Sequence, residues 1–473
     1  MTGPRIPLFG LGQLAKSPFV TAKQLQNLYV ETRPQGEKSA LVAYGTPGET
    51  LFADAGATPW RGGWEFKPGG VAYGVHRGTL YEINNAGTLT AKGALLTTSG
   101  RVSISDNGTQ VMIVDGTAGY IYNTGTGVFA QITDGDFPAN PVTVTFLAGR
   151  FVVNFQGSSR FYVSDMYDGL SWDALMFANA ETNPDPIVAV WASNGQLILL
   201  GSDSAEYWSN SGQLDFPFAL LQGTATEWGL AATWSIAKYD NTMGYLVKNR
   251  MGGQVMFAKL NGYIPERLST VDFDSIINRY ATTSDASGYS YMLGGHPMFV
   301  LNFATAGKSW LYDGSTGEFT ALKSFGSTRH NAEFSFSLLG STILADSTDG
   351  KLYRLAPDTY TDNGASIERQ LVSENVAMTD QSQFSIDCLR VDMEVGVGLT
   401  VGQGSDPQVG LEISRDNGKT WGAQMWKPMG KIGDYERYVE WRRLGSPREA
   451  SFRITVTDPV PVVFVSACLN PDN

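Results

Sequence analysis

From about Thr46 to Leu355 the chain is a succession of short runs that alternate apolar and polar residues, each closed off by Gly, Asn or Asp. Gly78-Thr79-Leu80-Tyr81-Glu82-Ile83, Gln110-Val111-Met112-Ile113-Val114 and Gln196-Leu197-Ile198-Leu199-Leu200 are examples. A period of two sends successive side chains to opposite faces, so each run reads as a strand with one buried face and each break as a turn. Composition agrees: 54 glycines supply positive φ at turns, and an aromatic content of 12% suits pleated surfaces. Only Thr270 to Tyr280, with Val271, Phe273, Ile276, Ile277 and Tyr280, has helical spacing.

The runs repeat. Tyr120-Ile121-Tyr122-Asn123-Thr124-Gly125-Thr126-Gly127-Val128-Phe129 aligns with Trp310-Leu311-Tyr312-Asp313-Gly314-Ser315-Thr316-Gly317-Glu318-Phe319. Gly350-Lys351-Leu352-Tyr353-Arg354-Leu355 echoes Gly78 to Ile83. Each unit reads as one hairpin of a larger sheet. A propeller blade takes about 40–50 residues. The sequence therefore predicts an all-β chain: an extended N-terminal arm over 1–47, a β-propeller-like domain of about six blades over 48–357, with stacked sandwiches or a solenoid as the alternatives, and a C-terminal β-sandwich over 358–473. The sandwich strands are expected at 384–395, 409–414, 438–441 and 451–456, with a final run at 460–467.

At 473 residues the chain exceeds one compact core. Its net charge of -12 is opposite in sign to that of a general nucleic-acid binder, which must neutralise phosphates. An acidic wall could still let DNA pass without sticking; equally, the charge could serve solubility alone. Two cysteines, Cys388 and Cys468, are too few for a secreted disulfide scaffold. No stretch reads as a signal peptide, and no apolar run reaches the ~18–20 residues that span a bilayer. The expectation is a protein made and folded in a cytoplasm, without membrane insertion.

The sharpest local motif is Ser414-Arg415-Asp416-Asn417-Gly418-Lys419-Thr420-Trp421, an Asp-box. Its chemistry is that of a turn: Asp416 accepts from backbone N–H groups, Gly418 takes the left-handed conformation, Trp421 packs under the hairpin, and Ser414 opens it. Sugar hydrolysis would need two carboxylates facing across a pocket. The acids Asp165, Asp168, Asp173, Glu181 and Glu206 lie near Trp172, Trp191 and Trp208 in sequence, a pattern that also suits an aromatic-rich core with surface acids. The histidines His76, His296 and His330 show no metal-ligand spacing, and His296 reads as a turn residue. No nucleophile elbow, phosphate loop or dinucleotide fingerprint is present, so no enzyme, cofactor or catalytic residue is predicted. The cluster Arg437, Tyr438, Trp441, Arg442 and Arg443 is a candidate subunit or partner interface, or else a solvated strand face with Arg stems over Trp441.

Three further stretches stand out: Leu25 to Glu31 with Gly45-Thr46-Pro47-Gly48; Arg160 to Asp165 running through Trp172, Pro184 and Trp208 to Phe218; and Leu411 to Trp421 with Trp441 to Gly445. Together they resemble the packaged-DNA stabilisation, or tail-hub (nozzle), proteins of short-tailed bacteriophages. The resemblance covers nearly the whole chain. It implies a structural virion protein of the phage tail, assembled in the host cytoplasm as a homo-hexamer below the portal and adaptor rings. Such a ring would extend the DNA channel, pass double-stranded DNA without sequence preference, help retain the genome, and dock tail fibres, tailspikes or a needle. It offers no catalytic residue to carry over. The rival reading is a carbohydrate-binding or glycan-hydrolysing propeller.

Overall fold

The computed structural model describes residues 5–6, 23–34, 39–180, 182–213 and 216–471. Among them, strands form seven small antiparallel sheets in chain order, followed by a two-sheet sandwich. The first four sheets are four-stranded meanders: Trp60–Phe66 to Leu89–Ala94, Ser103–Asp106 to Phe129–Gln131, Pro141–Leu147 to Asp168–Asn179, and Ile187–Ser193 to Phe218–Leu220. The fifth, from Trp228–Leu230 to Ile264–Arg267, has two short strands, Trp228–Leu230 and Ala237–Tyr239, on one edge of Thr242–Asn249. The sixth runs from Ala286–Leu293 to Glu318–Leu322.

The seventh blade is composite. Ala332–Leu338, Ser341–Asp346 and Lys351–Ala356 supply three strands, and the N-terminal strand Gly48–Asp54 pairs antiparallel along the third as its outer strand. A chain segment from the start of the domain thus closes the ring at its end. Seven sheets fit into this span because blades such as Ser103–Gln131, with tight hairpins, are shorter than the ~40–50 residues a blade commonly takes.

Hydrophobic clusters sit between neighbouring blades rather than within them. Val111, Ile113 and Tyr120 of the second blade pack against Tyr73, Val75 and Leu80 of the first. Val152, Phe161 and Val163 of the third meet Leu197, Leu199 and Trp208 of the fourth. Ala53 of the closing strand joins Phe334, Ile343 and Leu352 against Trp60, Ala72 and Ile83. A single blade has no second layer to cover its faces, so each is stable only when stacked.

The sequence repeats mark equivalent places. Gly119–Asn123 and Lys308–Asp313 are the third strands of the second and sixth blades; Thr79–Ile83 and Lys351–Ala356 are those of the first and seventh. Asn123 Oδ1 accepts from Gly125 N at 3.0 Å, and Asp313 Oδ1 from Ser315 N at 2.8 Å. Gly127 (φ 72°) and Gly317 (φ 74°) complete the two turns in the left-handed region. The helical spacing near residue 270 yields one helix, Val271–Ile277, capped by the Thr270 hydroxyl accepting from Phe273 N.

One sheet of the sandwich is ordered Leu28–Thr32, Leu41–Gly45, Val463–Leu469, Ile386–Met393, Val439–Gly445, with Arg5–Ile6 also on Val463–Leu469. The other is ordered Gln24–Gln26, Arg369–Val372, Glu449–Val456, Gln408–Ser414, Met425–Pro428. The described part of the N-terminal segment is therefore woven into the sandwich, and Leu25, Leu28, Val30 and Ala43 belong to its core with Trp441, Phe452 and Phe464. The second sheet also runs on into the propeller: Gln24–Gln26 pairs in parallel with Glu318–Leu322 of the sixth blade.

Leu352 lies at the seam where the last blade, the closing strand and the first blade meet, and is fully buried. Leu352→Ala should cost about 2–5 kcal/mol in chemical denaturation. A loss comparable to that of an exposed substitution would mean the ring is not closed there.

Candidate functional site

The junction of propeller and sandwich is built on the first stretch of the resemblance. Asn27, at φ 53°, breaks the run Leu25 to Val30 into two strands, one for each sandwich sheet. Its side chain accepts from Lys323 N at 3.0 Å and donates to Lys323 O and Glu368 O, both at 2.9 Å. Its backbone N–H donates to Ala321 O at 2.9 Å and its carbonyl accepts from Thr46 N at 3.0 Å. One asparagine thus holds the sixth blade, the sandwich and the turn before the closing strand. Glycine is required in that turn: a Cβ on Gly48 would lie 2.3 Å from Thr361 O, and one on Gly45 2.4 Å from Arg369 Nε.

Beneath the turn lies a small polar cavity lined by Glu49, His330 and Asp362 among others. His330 Nε2 is 3.3 Å from Glu49 Oε1, and His330 Nδ1 is 3.0 Å from Ser324 Oγ. Burial, then the Asp362 and Asp346 charges, push the Glu49 carboxyl well up, while burial lowers His330 to about 4. Burial thus works against the charged form of both groups, which face each other across this contact. Burial likewise raises Asp362 to about 7, against the pull of Arg369. Arg369 is fully buried, donates from Nη2 to Thr46 O at 3.2 Å, and packs its guanidinium against Tyr360.

On the sandwich, the Asp-box is a closed turn. Ser414 Oγ donates to Asp416 Oδ1 and accepts from Gly418 N, both at 2.8 Å, while Asp416 also accepts from Thr420 N and Oγ1 at 2.8 and 2.5 Å. These donors hold Asp416 down at about 2. Gly418 (φ 79°) and Asn417 (φ 59°) take the left-handed conformation. Trp421 is half-buried, with the Arg453 guanidinium 3.8 Å from its ring.

The edge strand Val439–Gly445 divides the candidate interface. Trp441 points inward, 2% exposed, and its indole N–H donates to Met425 O at 2.9 Å. Strand alternation makes it a core residue, which corrects its place in the candidate interface. Arg442 points outward and forks onto Glu440, itself shared with Arg390. Arg437 and Arg443 are exposed, and Tyr438 is 71% exposed with the Arg390 guanidinium 4.5 Å from its ring. Tyr435 (70%) and Ile432 (60%), which the sequence reading passed over, extend the patch.

The acids beside tryptophans are turn and core groups. Asp165 accepts from Ser171 Oγ, Asp168 from Leu170 N and Asp173 from Leu175 N. Glu206 is buried, accepting from Thr182 N at 2.6 Å and Trp208 Nε1 at 3.1 Å. Trp172 and Trp208 belong to the inter-blade cores, and Glu181 lies outside the described residues. His296 opens a strand after Gly294-Gly295, its Nδ1 2.8 Å from Asp313. At the centre of the propeller the innermost strands surround a cavity of about 690 Å³. Glu49, Asp362 and the cavity lining carry no signal in sequence, because nothing local distinguishes a buried acid from a surface one.

The described residues form a ring of stacked β-sheets sewn to a β-sandwich, and the acids singled out in the sequence are held in turns and in the core. The chain matches the family model of the bacteriophage P22 Gp10 β-propeller over residues 4–360 and that of the Gp10 β-sandwich over residues 368–470. It belongs to the bacteriophage P22 Gp10 family, the structural tail nozzle and stabilisation proteins of phage virions. No curated protein sequence matches it. Among solved structures, the N-terminal domain of Nup159 is similar at 10% identity, covering 70% of this chain and 98% of that one, with a TM-score of 0.37. YCF48 bound to D1 peptide is similar at 14% identity, covering 69% and 100%, TM-score 0.39. The extracellular domain of the putative one component system BT4673 from B. thetaiotaomicron shares 10% identity over 65% of this chain and 40% of that one, TM-score 0.44. Nothing about function follows from these likenesses.

The junction makes stability depend on pH in a stated direction. The folded value of Asp362 rises from 3.8 to about 7, so its contribution is full below pH 3.8 and is lost as pH climbs through about 7. His330, lowered from 6.5 to about 4, acts oppositely: its contribution is present above 6.5 and lost as pH falls through about 4. Above pH 6.5 only the raised junction carboxyls, Asp362 and its neighbour Glu49, still act, and both in the same direction. The urea midpoint should therefore fall from about pH 6.5 to about pH 8, and Asp362→Asn should flatten that fall. An unchanged slope in the variant would show that Asp362 titrates normally.

Proposed function

We propose that this chain is the subunit of a hexameric tail hub that extends the channel below the portal and adaptor, helps retain packaged DNA, and docks tail fibres, tailspikes or a needle. The observation that carries the reading is the match of both domains, in order and over almost the whole chain, to the Gp10 family. The work is mechanical, and the reading assigns no catalytic residue and no cofactor.

Three physical features support it. The propeller cavity, at about 690 Å³, has the size of a small-ligand pocket. Duplex DNA would therefore travel along a lumen bounded by several subunits, not through one propeller. A subunit at net charge -12 presents phosphates with a surface that repels more than it holds, as a conduit requires. The patch of Ile432, Tyr435 and Tyr438 with Arg437, Arg442 and Arg443 has the aromatic and Arg composition favoured where proteins meet. Because like-charged subunits repel, such local contacts must outweigh the net charge.

Electron microscopy of phage particles carrying a labelled copy should show the label ringed with six-fold symmetry below the portal. Tyr438→Glu combined with Arg443→Glu should remove the chain from particles while leaving its thermal unfolding in solution nearly unchanged, since both side chains are exposed. Absence of the unaltered chain from virions would contradict the reading, and normal incorporation of the double variant would remove this patch from it.

A further inference from the structure

The propeller cavity has chemistry that a structural role does not use. Its lining includes three cations, Lys67, Arg101 and Lys238, against one carboxylate, Glu65, in a chain whose overall charge is -12. The Glu65 carboxylate is already engaged, accepting from Leu339 N at 3.0 Å. The cavity is therefore positive inside an acidic protein.

Arg101 is the group at its base. It stands just before the innermost strand of the second blade and reaches across to residues of other blades, with its guanidinium 5.1 Å from the Trp234 ring and 4.3 Å from the Phe334 ring. Its Nε and Nη1 are enclosed and have no hydrogen-bond partner among the described residues. Glu333, the acid whose charge reaches it, is bonded to Arg329 Nη2 at 2.8 Å. Burial lowers Arg101 only to about 10, so it stays charged at neutral pH. A half-buried guanidinium with aromatic faces and two enclosed N–H groups that no oxygen among the described residues meets suits an oxyanion partner.

The rest of the lining narrows the ligand. Trp64, Trp191 and Trp234 bring indole rings, and Thr145, Asn194 and Ser337 bring hydroxyl and amide groups. Trp64, Asn194 and Ser337, at the far ends of their strands, are exposed and form the mouth. Flat apolar rings suit the C–H faces of a pyranose, hydroxyls and amides suit its own hydroxyls, and a cation at the base suits a carboxylate. We propose that the bore of the propeller is a binding site for a small acidic sugar, entering at Trp64 and directing its carboxylate to Arg101. This goes beyond the tail-hub reading and stands independently of it.

The test is calorimetric titration of the full chain, with tryptophan fluorescence as a second readout. The probes are glucuronate, galacturonate and N-acetylneuraminate, with glucose and inorganic phosphate as the two partial ligands. At least one acidic sugar should bind with one site per chain, about tenfold or more tighter than either glucose or phosphate. Arg101→Met, which keeps the stem between the rings and drops the charge, should weaken it about tenfold or more without lowering the melting temperature. Lys238→Met, at an exposed position where folding is not at stake, should weaken it several-fold. Binding of none of the three acids, phosphate binding as tightly as the best of them, or acid binding untouched in both variants would each overturn the proposal.

Discussion

The ladder between Gly48–Asp54 and Lys351–Ala356 is the contact on which the rest of the molecule depends. It joins residues about three hundred positions apart and supplies the last blade with the strand that its own segment lacks. Without it, the seventh blade would offer the row of N–H and C=O groups along Lys351–Ala356 to any passing strand. The apolar seam of Ala53, Leu352 and Trp60 would also lose one wall. Because every blade is buried by its neighbours, an opening at one seam weakens the ring as a whole.

The same N-terminal segment does a second task just before it closes the ring. Leu28–Thr32 and Leu41–Gly45 extend one sandwich sheet, Gln24–Gln26 the other, and Leu25 and Leu28 complete the sandwich core. Asn27 then ties this double strand to the sixth blade. The two domains matched as separate families are consequently physically one piece at their junction, with a continuous sheet passing from the sixth blade through Gln24–Gln26 into the sandwich.

Much of the fold was legible because its information is local. Alternation, Asx-Gly turns and the repeats marked a strand in each of four blades, and Thr270 to Tyr280 marked the helix Val271–Ile277. What could not be read is whatever depends on distant pairing. The outer strand of the seventh blade was hidden because it comes from the other end of the domain. Leu25 to Val30 splits into two strands at Asn27, whose positive φ nothing in the sequence announces. Trp441 looked exposed among arginines until register placed it inward. The buried acids Glu49 and Asp362 and the unpartnered Arg101 are ordinary charged residues in sequence; only the surrounding elements make them unusual.

The central claim is that an N-terminal strand locks the propeller and is as firmly held as the blade it completes. Hydrogen exchange followed residue by residue tests this directly. If the account holds, the amides of Gly48–Asp54 that pair with Lys351–Ala356 exchange as slowly as those of the interior strand Ser341–Asp346 and open only with global unfolding. If instead they exchange rapidly, as a fraying terminus does, while Ser341–Asp346 stays protected, the ring is closed by something else and the account fails.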